Sequence, residues 1–157
     1  MSFGMLSSGK LLKVSFRVAF LAALALLTAK GPNPFAAQQA MAQSAGNSEQ
    51  VARGKYIVED VAMCGTCHTP RLPDGQLDRS RWLAGAPVPY LSARPVSHWP
   101  INAPRLAGTP PTSNEGMITL LTTAIWIDGK PLDDPMPHFH MTRQDAEAVV
   151  AYLRSLR

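Results

Sequence analysis

Two cysteines and a histidine stand together near the middle of this sequence. Their order is Cys64-Gly65-Thr66-Cys67-His68, so two thiols three positions apart are followed at once by an imidazole. A Cys-x-x-Cys pair followed by His is the attachment signature of a c-type haem. On one helical turn each thiol can form a thioether with a haem vinyl group, and His68 then lies beneath the iron as its proximal ligand. The small Gly65-Thr66 spacer lets this turn lie close to the porphyrin.

Other interpretations of the two cysteines have less support. A thioredoxin-like redox pair should lie beside a βαβ pattern, and a zinc site would need a second Cys or His pair at matching spacing; the sequence has neither. A Cys64–Cys67 disulfide in a haem-free exported domain stays open as an alternative. We find no Ser-His-Asp pattern and no glycine-rich phosphate loop, and we therefore predict no catalytic residues.

The amino-terminal part of the chain has the pattern of a secretory signal peptide. A cationic stretch over residues 10–17 precedes an apolar run over residues 18–29, which is shorter than the ~20 residues that a membrane-spanning helix needs. The small-residue motif at 40–42 offers a cleavage point before Gln43. We expect a signal peptide over residues 1–42 and a periplasmic location for the remainder. An uncleaved anchor holding the domain to the inner membrane is the alternative.

The length of the chain leaves room for one compact domain after this leader. The charges of that domain balance. The whole chain has a net charge of +4, but four cations belong to the leader, and from Gln43 onward eleven Lys and Arg residues balance eleven acids. No basic run is interleaved with aromatic residues, so nucleic acid is not predicted as a partner. Residues 36–47 are small and polar, and we expect disorder there. The expected organisation is a disordered linker over 43–47 and one domain over 48–157.

Helix signals predict three helices in this domain. The first should begin near Ser48 and has Gly54 in its interior, where glycine costs up to ~1 kcal/mol relative to alanine unless it permits a close helix crossing. The last should begin at Thr142, which starts an approximate capping box followed by an apolar face at helical spacing. A third helix, between these two in the chain, should follow the capping-box pattern at 112–115. We expect Gly54 to meet Tyr152, so that the first and last helices cross closely.

The stretch between Arg71 and Pro111 predicts loops. It contains eight prolines, which exclude long helices and central strands. So long a loop region is unusual in a compact domain, but a haem can act as the core around which such loops pack. Trp82 and Trp99 are interpreted as loop-packing or haem-pocket residues.

Taken together, these features resemble the class I cytochrome c family. The resemblance rests on Gly54-Lys55-Tyr56, on the run from Cys64 to Pro70, on Met136-Pro137 and on the closing run 145–156, and it covers most of residues 48–157. It is greatest to the cytochrome domains that accept electrons from bacterial periplasmic dehydrogenases. The resemblance implies an all-α fold, with a few helices and long loops wrapped around one covalently bound haem c.

The sixth iron ligand has several candidates on the carboxyl-terminal side of the motif. They are Met117, Met136, Met141, His98, His138 and His140. The segment 132–137 is non-helical and braced by prolines, so it would hold a thioether with little conformational freedom. In the resembled family a Met-Pro pair at this place supplies the axial sulfur, which implies Met136. Met117 fits a helix core better, while His138, His140 and Met141 stay as alternatives.

Another segment carries a family feature of the haem pocket. In the resembled family, the carbonyl of a proline in a Pro-x-Leu segment accepts a hydrogen bond from the proximal imidazole, and such a bond orients the ring. The segment 103–108 resembles it, which implies Pro104 and Leu106 in the haem pocket and Pro104 as the partner of His68. The spacing from His68 to Pro104 exceeds that of compact family members, so an inserted loop must be accommodated.

The resemblance also implies a function, namely electron transfer by a haem with His68 and Met136 as axial ligands. The expected donor is a periplasmic dehydrogenase, and the expected acceptor is another cytochrome or a terminal oxidase of the respiratory chain. The alternative is a five-coordinate haem protein with peroxidase-like or gas-binding activity, in which Met136 would not bind the iron.

Overall fold

A computed structural model describes residues 33–95 and 98–157 of the chain. The elements in chain order are helix α1 (Pro34–Tyr56), a π-helical turn (Ile57–Val61), helix α2 (Gly65–His68), a 3-10 turn (Arg79–Arg81), strands β1 (Ala86–Pro87) and β2 (Asn102–Ala103), helix α3 (Asn114–Thr123) and helix α4 (Arg143–Ser155). The cationic and apolar segments of the predicted signal peptide lie outside the described residues. Residues 43–157 form one compact unit. Within the described ranges, no helix combines the length and apolar character of a membrane span.

Helix α1 is longer than the sequence predicted. It covers residues 36–47, and with them the 43–47 linker, so the structure contradicts the expected disorder and the expected helix start at Ser48. At its beginning the side chain of Asn33 accepts a hydrogen bond from the Phe35 amide at 3.2 Å. Alanine and glutamine dominate this stretch, and their helix propensity outweighs the small, polar character that suggested disorder.

A π-helical turn ends α1 and redirects the chain. The Ala62 amide donates to the Ile57 carbonyl at 2.7 Å, five residues back, and the Cys64 amide donates to the Val58 carbonyl at 3.0 Å. Met63 then takes a left-handed conformation with φ of 50°. Such single π turns insert an extra residue into a helix and are frequent at functional sites. Here the turn leads directly into α2.

The crossing of α1 and α4 confirms the predicted contact between Gly54 and Tyr152. A Cβ added to Gly54 would lie 2.9 Å from Tyr152 Cβ and closer still to the Ala148 carbonyl, so only glycine fits without a shift. Arg53 adds an ion pair with Asp145 at 3.0 Å across the same crossing. The closest approach of the two helices therefore depends on the missing side chain at Gly54.

Side-chain caps are present at the starts of both α3 and α4. Thr142 Oγ1 accepts from the Asp145 amide at 3.2 Å, which confirms the predicted start of α4, while Ser113 Oγ accepts from the Gly116 amide at 3.1 Å, so α3 is capped one residue later than the capping box at 112–115 indicated. Helix α3 ends before Ala124, which is left-handed with φ of 59°. The central residues of the core are Ile57, Val58, Leu83, Leu106, Met117, Leu121, Ala146, Val149, Val150 and Leu153.

The proline-rich stretch between Arg71 and Pro111 is mostly loop, as predicted. In its described part the regular structure is limited to one 3-10 turn and one antiparallel pair of two-residue strands, in which Ala86 faces Ala103. This strand pair closes the long loop between residues 87 and 102. Its return strand leads directly into Pro104.

Candidate functional site

A cavity of about 1050 Å³ opens into the domain. This volume is just above the range of about 300–1,000 Å³ typical of small-molecule and cofactor sites. The structure brings six site residues singled out from the sequence to its wall: Cys64, Cys67, His68, Pro104, Leu106 and Met136. Helices α3 and α4 contribute apolar side chains, among them Met117, Leu121, Val149 and Leu153.

The His68 imidazole is fixed by one hydrogen bond. The side chain is 5% exposed, and its Nδ1 lies 2.8 Å from the Pro104 carbonyl oxygen. A carbonyl only accepts, so Nδ1 carries the proton and Nε2 keeps a free lone pair. Burial lowers the pKa of His68, and the hydrogen bond to Pro104 partly opposes this. The ring is therefore neutral at neutral pH, with a nitrogen available for a metal.

The two cysteines are free thiols on the same wall as His68. Burial raises the pKa of the Cys64 thiol to about 11. Burial also raises the pKa of Cys67, while the charge of Arg71 works in the opposite direction. Both groups are consequently protonated at neutral pH, as is usual for thiols in apolar surroundings. The wall thus presents two uncharged thiols and an uncharged imidazole within one short helix and its cap.

Residues 78–85, here named the brace segment, hold this short helix from outside the cavity wall. The Gly85 amide donates to the His68 carbonyl at 2.8 Å, and the Leu83 amide donates to Thr69 Oγ1 at 3.0 Å. The Leu83 carbonyl accepts from the Leu106 amide at 2.9 Å. The brace segment therefore ties the His68 turn to the strand end that carries Pro104.

Sequence reasoning missed the brace segment. The sequence predicted only that an inserted loop had to be accommodated between His68 and Pro104. The left-handed Leu83, with φ of 55°, and Gly85, with φ of 86°, shape the brace. A glycine such as Gly85 is a sequence signal for a positive φ. No local sequence pattern, in contrast, indicates that a leucine will adopt a positive φ.

Met136 lies on a different stretch of the cavity wall. It belongs to residues 132–137, here named the methionine segment, which is anchored at its start by the Leu132 amide donating to the Ala124 carbonyl at 2.9 Å. The Met136 side chain is half-buried. His138 Nε2 lies 2.8 Å from the Leu132 carbonyl oxygen, to which it donates. Of the six candidates for the sixth ligand, Met117 and Met136 line the cavity, while His98, His138, His140 and Met141 are not part of its wall.

The residues present fit a covalently bound haem. The cavity offers two thiols, an imidazole with an unprotonated Nε2 and a thioether, within a lining that is otherwise mostly apolar. The few charged residues of the wall, Asp128, Lys130 and Asp133, are exposed at its edge. This combination of donors suits a porphyrin, with its apolar faces and its central metal.

Comparisons with known proteins agree with this donor set. Residues 51–157 match the cytochrome c family. A diheme cytochrome c-type protein of Cereibacter sphaeroides is 60% identical over 37 residues, which are 24% of this chain and 12% of that protein. The fructose dehydrogenase cytochrome subunit of Gluconobacter japonicus is 31% identical over 109 residues, which are 66% of this chain and 21% of that subunit.

The matched regions thus span about a fifth or less of these two relatives. The family match, in contrast, covers most of this chain and the whole cavity wall. The few helices and long loops are those of the all-α class I cytochrome c fold, and the family implies covalent haem c as the cofactor. With residues 51–157 matched, the chain therefore belongs to the cytochrome c family.

Proposed function

We propose that this chain is an electron carrier with a single covalently bound haem c, and that the haem iron has His68 and Met136 as axial ligands. The observation that carries the proposal is the presence of both thiols, the imidazole and the Met136 thioether on the wall of one cavity. When bound, haem supplies a one-electron couple between ferrous and ferric iron.

In this proposal each residue of the wall has a separate task. Cys64 and Cys67 hold the cofactor through thioethers, and His68 offers Nε2 to the iron. Pro104 keeps the imidazole plane fixed and increases its basicity through the hydrogen bond to Nδ1. Met136 offers a thioether, a ligand that raises the reduction potential. Leu106 and the apolar residues of α3 and α4 keep water from the cofactor.

The proposed partners are redox proteins. Similarity to a fructose dehydrogenase cytochrome subunit supports a periplasmic dehydrogenase as the donor, and the acceptor would be another cytochrome or a terminal oxidase. Asp133 and Asp134 are exposed beside Met136, where they would favour a basic surface on the partner. The signal peptide pattern in residues 1–42 supports a periplasmic location, either free or held by an uncleaved anchor at the inner membrane.

A five-coordinate haem protein with peroxidase-like or gas-binding activity would need an open position opposite His68. The placement of Met136 on the cavity wall favours the carrier instead. The expected consequence is a six-coordinate iron that resists added ligands in both oxidation states.

The proposal is tested with the protein purified from a host that matures c-type cytochromes. Intact mass should show the addition of one haem per chain, and a potentiometric titration followed by absorbance should give one reversible one-electron step. Membranes that contain the cognate dehydrogenase and its substrate should then reduce the protein faster than membranes from a deletion strain. Two haems per chain, or equal rates with both membranes, would contradict the single-haem and donor parts respectively.

A further inference from the structure

Trp82 packs against the helix that carries the haem-binding residues, although it is not part of the cavity wall. Its neighbour is Gly65, which lies between the two cysteines. A Cβ added to Gly65 would fall 3.1 Å from Trp82 Cζ2 and closer still to two other ring carbons. The indole therefore occupies the space that a side chain at Gly65 would need, and it contacts the backbone of the short helix directly.

A surface ion pair holds the indole. The Arg79 guanidinium lies over the Trp82 ring, 4.2 Å from its centroid, which is a favourable cation–π geometry. Arg79 is also 3.6 Å from a carboxylate oxygen of Glu59. The other Glu59 oxygen accepts a hydrogen bond from the Tyr152 hydroxyl at 2.6 Å. The indole is thereby linked to the π-helical turn through Glu59 and to α4 through Tyr152.

The indole nitrogen is an exception to the rule that buried polar atoms are hydrogen-bonded. Among the described residues, Trp82 Nε1 is the buried side-chain polar atom without a hydrogen-bond partner. Its nearest polar neighbour is the Tyr152 phenol: burial and the Glu59 hydrogen bond raise the pKa of Tyr152 to about 12, and the interaction with the Trp82 N–H, which falls short of a well-formed hydrogen bond, opposes this. The indole is therefore held by its ring contacts with Gly65 and Arg79 rather than by a well-formed hydrogen bond of its own.

We propose that Trp82 is a positioning residue for the haem, acting through its contact with Gly65 to fix the orientation of helix α2 and hence of the His68 imidazole. The inference rests on the proposed haem function. The brace segment already holds the far end of α2 at His68 and Thr69. Trp82 belongs to the same segment and holds the near end, between the cysteines. With both ends fixed, the imidazole plane has one orientation, and the reduction potential has one value.

The experiment compares the haem-loaded wild type with Trp82→Leu, Trp82→Phe and Trp99→Leu. Trp99 is the matched control, because its Nε1 donates to the Tyr90 carbonyl at 3.0 Å and its side chain is not part of the cavity wall. The readouts are the midpoint potential and the EPR g-values of the ferric protein, which report the orientation of the axial imidazole. A change of stability alone would move neither readout.

We expect Trp82→Leu to shift the midpoint potential and to broaden or shift the g-values, Trp82→Phe to shift both less, and Trp99→Leu to match the wild type. If Trp82→Leu yields no folded protein, Trp82→Phe and Arg79→Gln decide, since both should still move the midpoint potential away from the wild-type value, and in the same direction as each other. Trp82 variants with the wild-type potential and g-values, or shifts equal to those of Trp99→Leu, would overturn the inference. A wild type without covalent haem would instead overturn the proposed function.

Discussion

The two sides of the cavity are held in different ways. On the His68 side, a buried helix end is fixed by backbone hydrogen bonds from the brace segment, and the imidazole is fixed by Pro104. On the Met136 side, every residue of the methionine segment is exposed or only half-buried, and the chain is anchored at Leu132 and, beyond the segment, at the Met141 amide, which donates to the Leu121 carbonyl at 3.0 Å.

This difference suggests that, in the proposed haem protein, His68 would be a permanent iron ligand and Met136 an exchangeable one. A buried hydrogen bond whose partner is removed costs more than an exposed one, because the remaining group cannot turn to water. We therefore expect changes on the His68 side to lower stability. Changes on the Met136 side should alter iron ligation and leave the fold largely intact.

The largest effect is expected from Met136→Ala on the Met136 side. Loss of the thioether should convert the six-coordinate iron to an open form and raise the affinity for added imidazole by roughly tenfold or more, which corresponds to about 1.4 kcal/mol. Absorption spectra and imidazole titrations of the purified protein measure both. Met141→Ala is the control, since Met141 is not part of the cavity wall. An unchanged Met136→Ala spectrum would show that another residue binds the iron.

A matched pair of leucines compares the stability of the two sides. Leu83 is fully buried in the brace segment, whereas Leu132 at the start of the methionine segment is only partly buried. Leu83→Ala should lower the free energy of unfolding by about 2–5 kcal/mol, and Leu132→Ala by roughly half as much or less. Urea denaturation of both variants measures this. Equal losses would mean that the two sides are equally rigid.

Two threonines, one on each side, compare how much a buried and an exposed hydrogen bond contribute to the free energy of unfolding. Thr69 is 1% exposed, and its hydroxyl accepts from the Leu83 amide, so Thr69→Val leaves a buried donor unpaired and should cost about 1–3 kcal/mol. Thr123 accepts from the Ile125 amide at 3.2 Å near the Met136 side, but it is exposed. Thr123→Val should change the free energy of unfolding by less than about 0.5 kcal/mol. The same denaturation assay decides, and a reversed order would refute the difference between the two sides.

The smallest expected effect is a dependence of the free energy of unfolding on pH. Hydrogen bonds from Ser80 and Arg81 lower the pKa of Asp78, in the brace segment, from 3.8 to about 2. This contribution to stability is complete above about pH 4 and disappears as the pH falls toward 2, because protonation then favours the unfolded chain.

Denaturation of the wild type and of Asp78→Asn across that window tests this contribution. The stability difference between the two should shrink as the pH falls from 4 to 2. Asp128→Asn serves as the counterpart near the Met136 side. The Lys130 amide and side chain lower the pKa of that more exposed carboxyl, so a weaker dependence is expected. A difference for Asp78→Asn that is constant between pH 4 and pH 2 would contradict the assignment.

The sequence predicted the parts of the structure that depend on local signals. Thr142 could be identified as a cap, and the cap of α3 to within one residue, because a hydroxyl and a nearby amide suffice. Gly54 could be matched to Tyr152 because an interior glycine is costly without a close crossing. The motif residues 64–68 could be assigned to one site because their spacing is itself the signature.

Other parts depend on contacts that no local pattern specifies. The packing of Trp82 on Gly65 and the left-handed Leu83 arise only when the loop folds back on α2. The π-helical turn adds a residue to a helix whose apolar spacing does not reveal it. The helical stretch at 36–47 was missed because small polar residues suggested disorder, although alanine and glutamine favour helix.

The central claim is that two thioethers tether a haem beside its own histidine ligand. The most direct measurement is extraction of the denatured protein with acidified acetone, followed by haem staining of the chain on a denaturing gel, for the wild type and for the Cys64→Ala, Cys67→Ala double variant. We predict that the wild-type chain keeps all its pigment and that the double variant loses it. A wild-type chain that is colourless, or that releases its pigment into the acetone, would contradict the account.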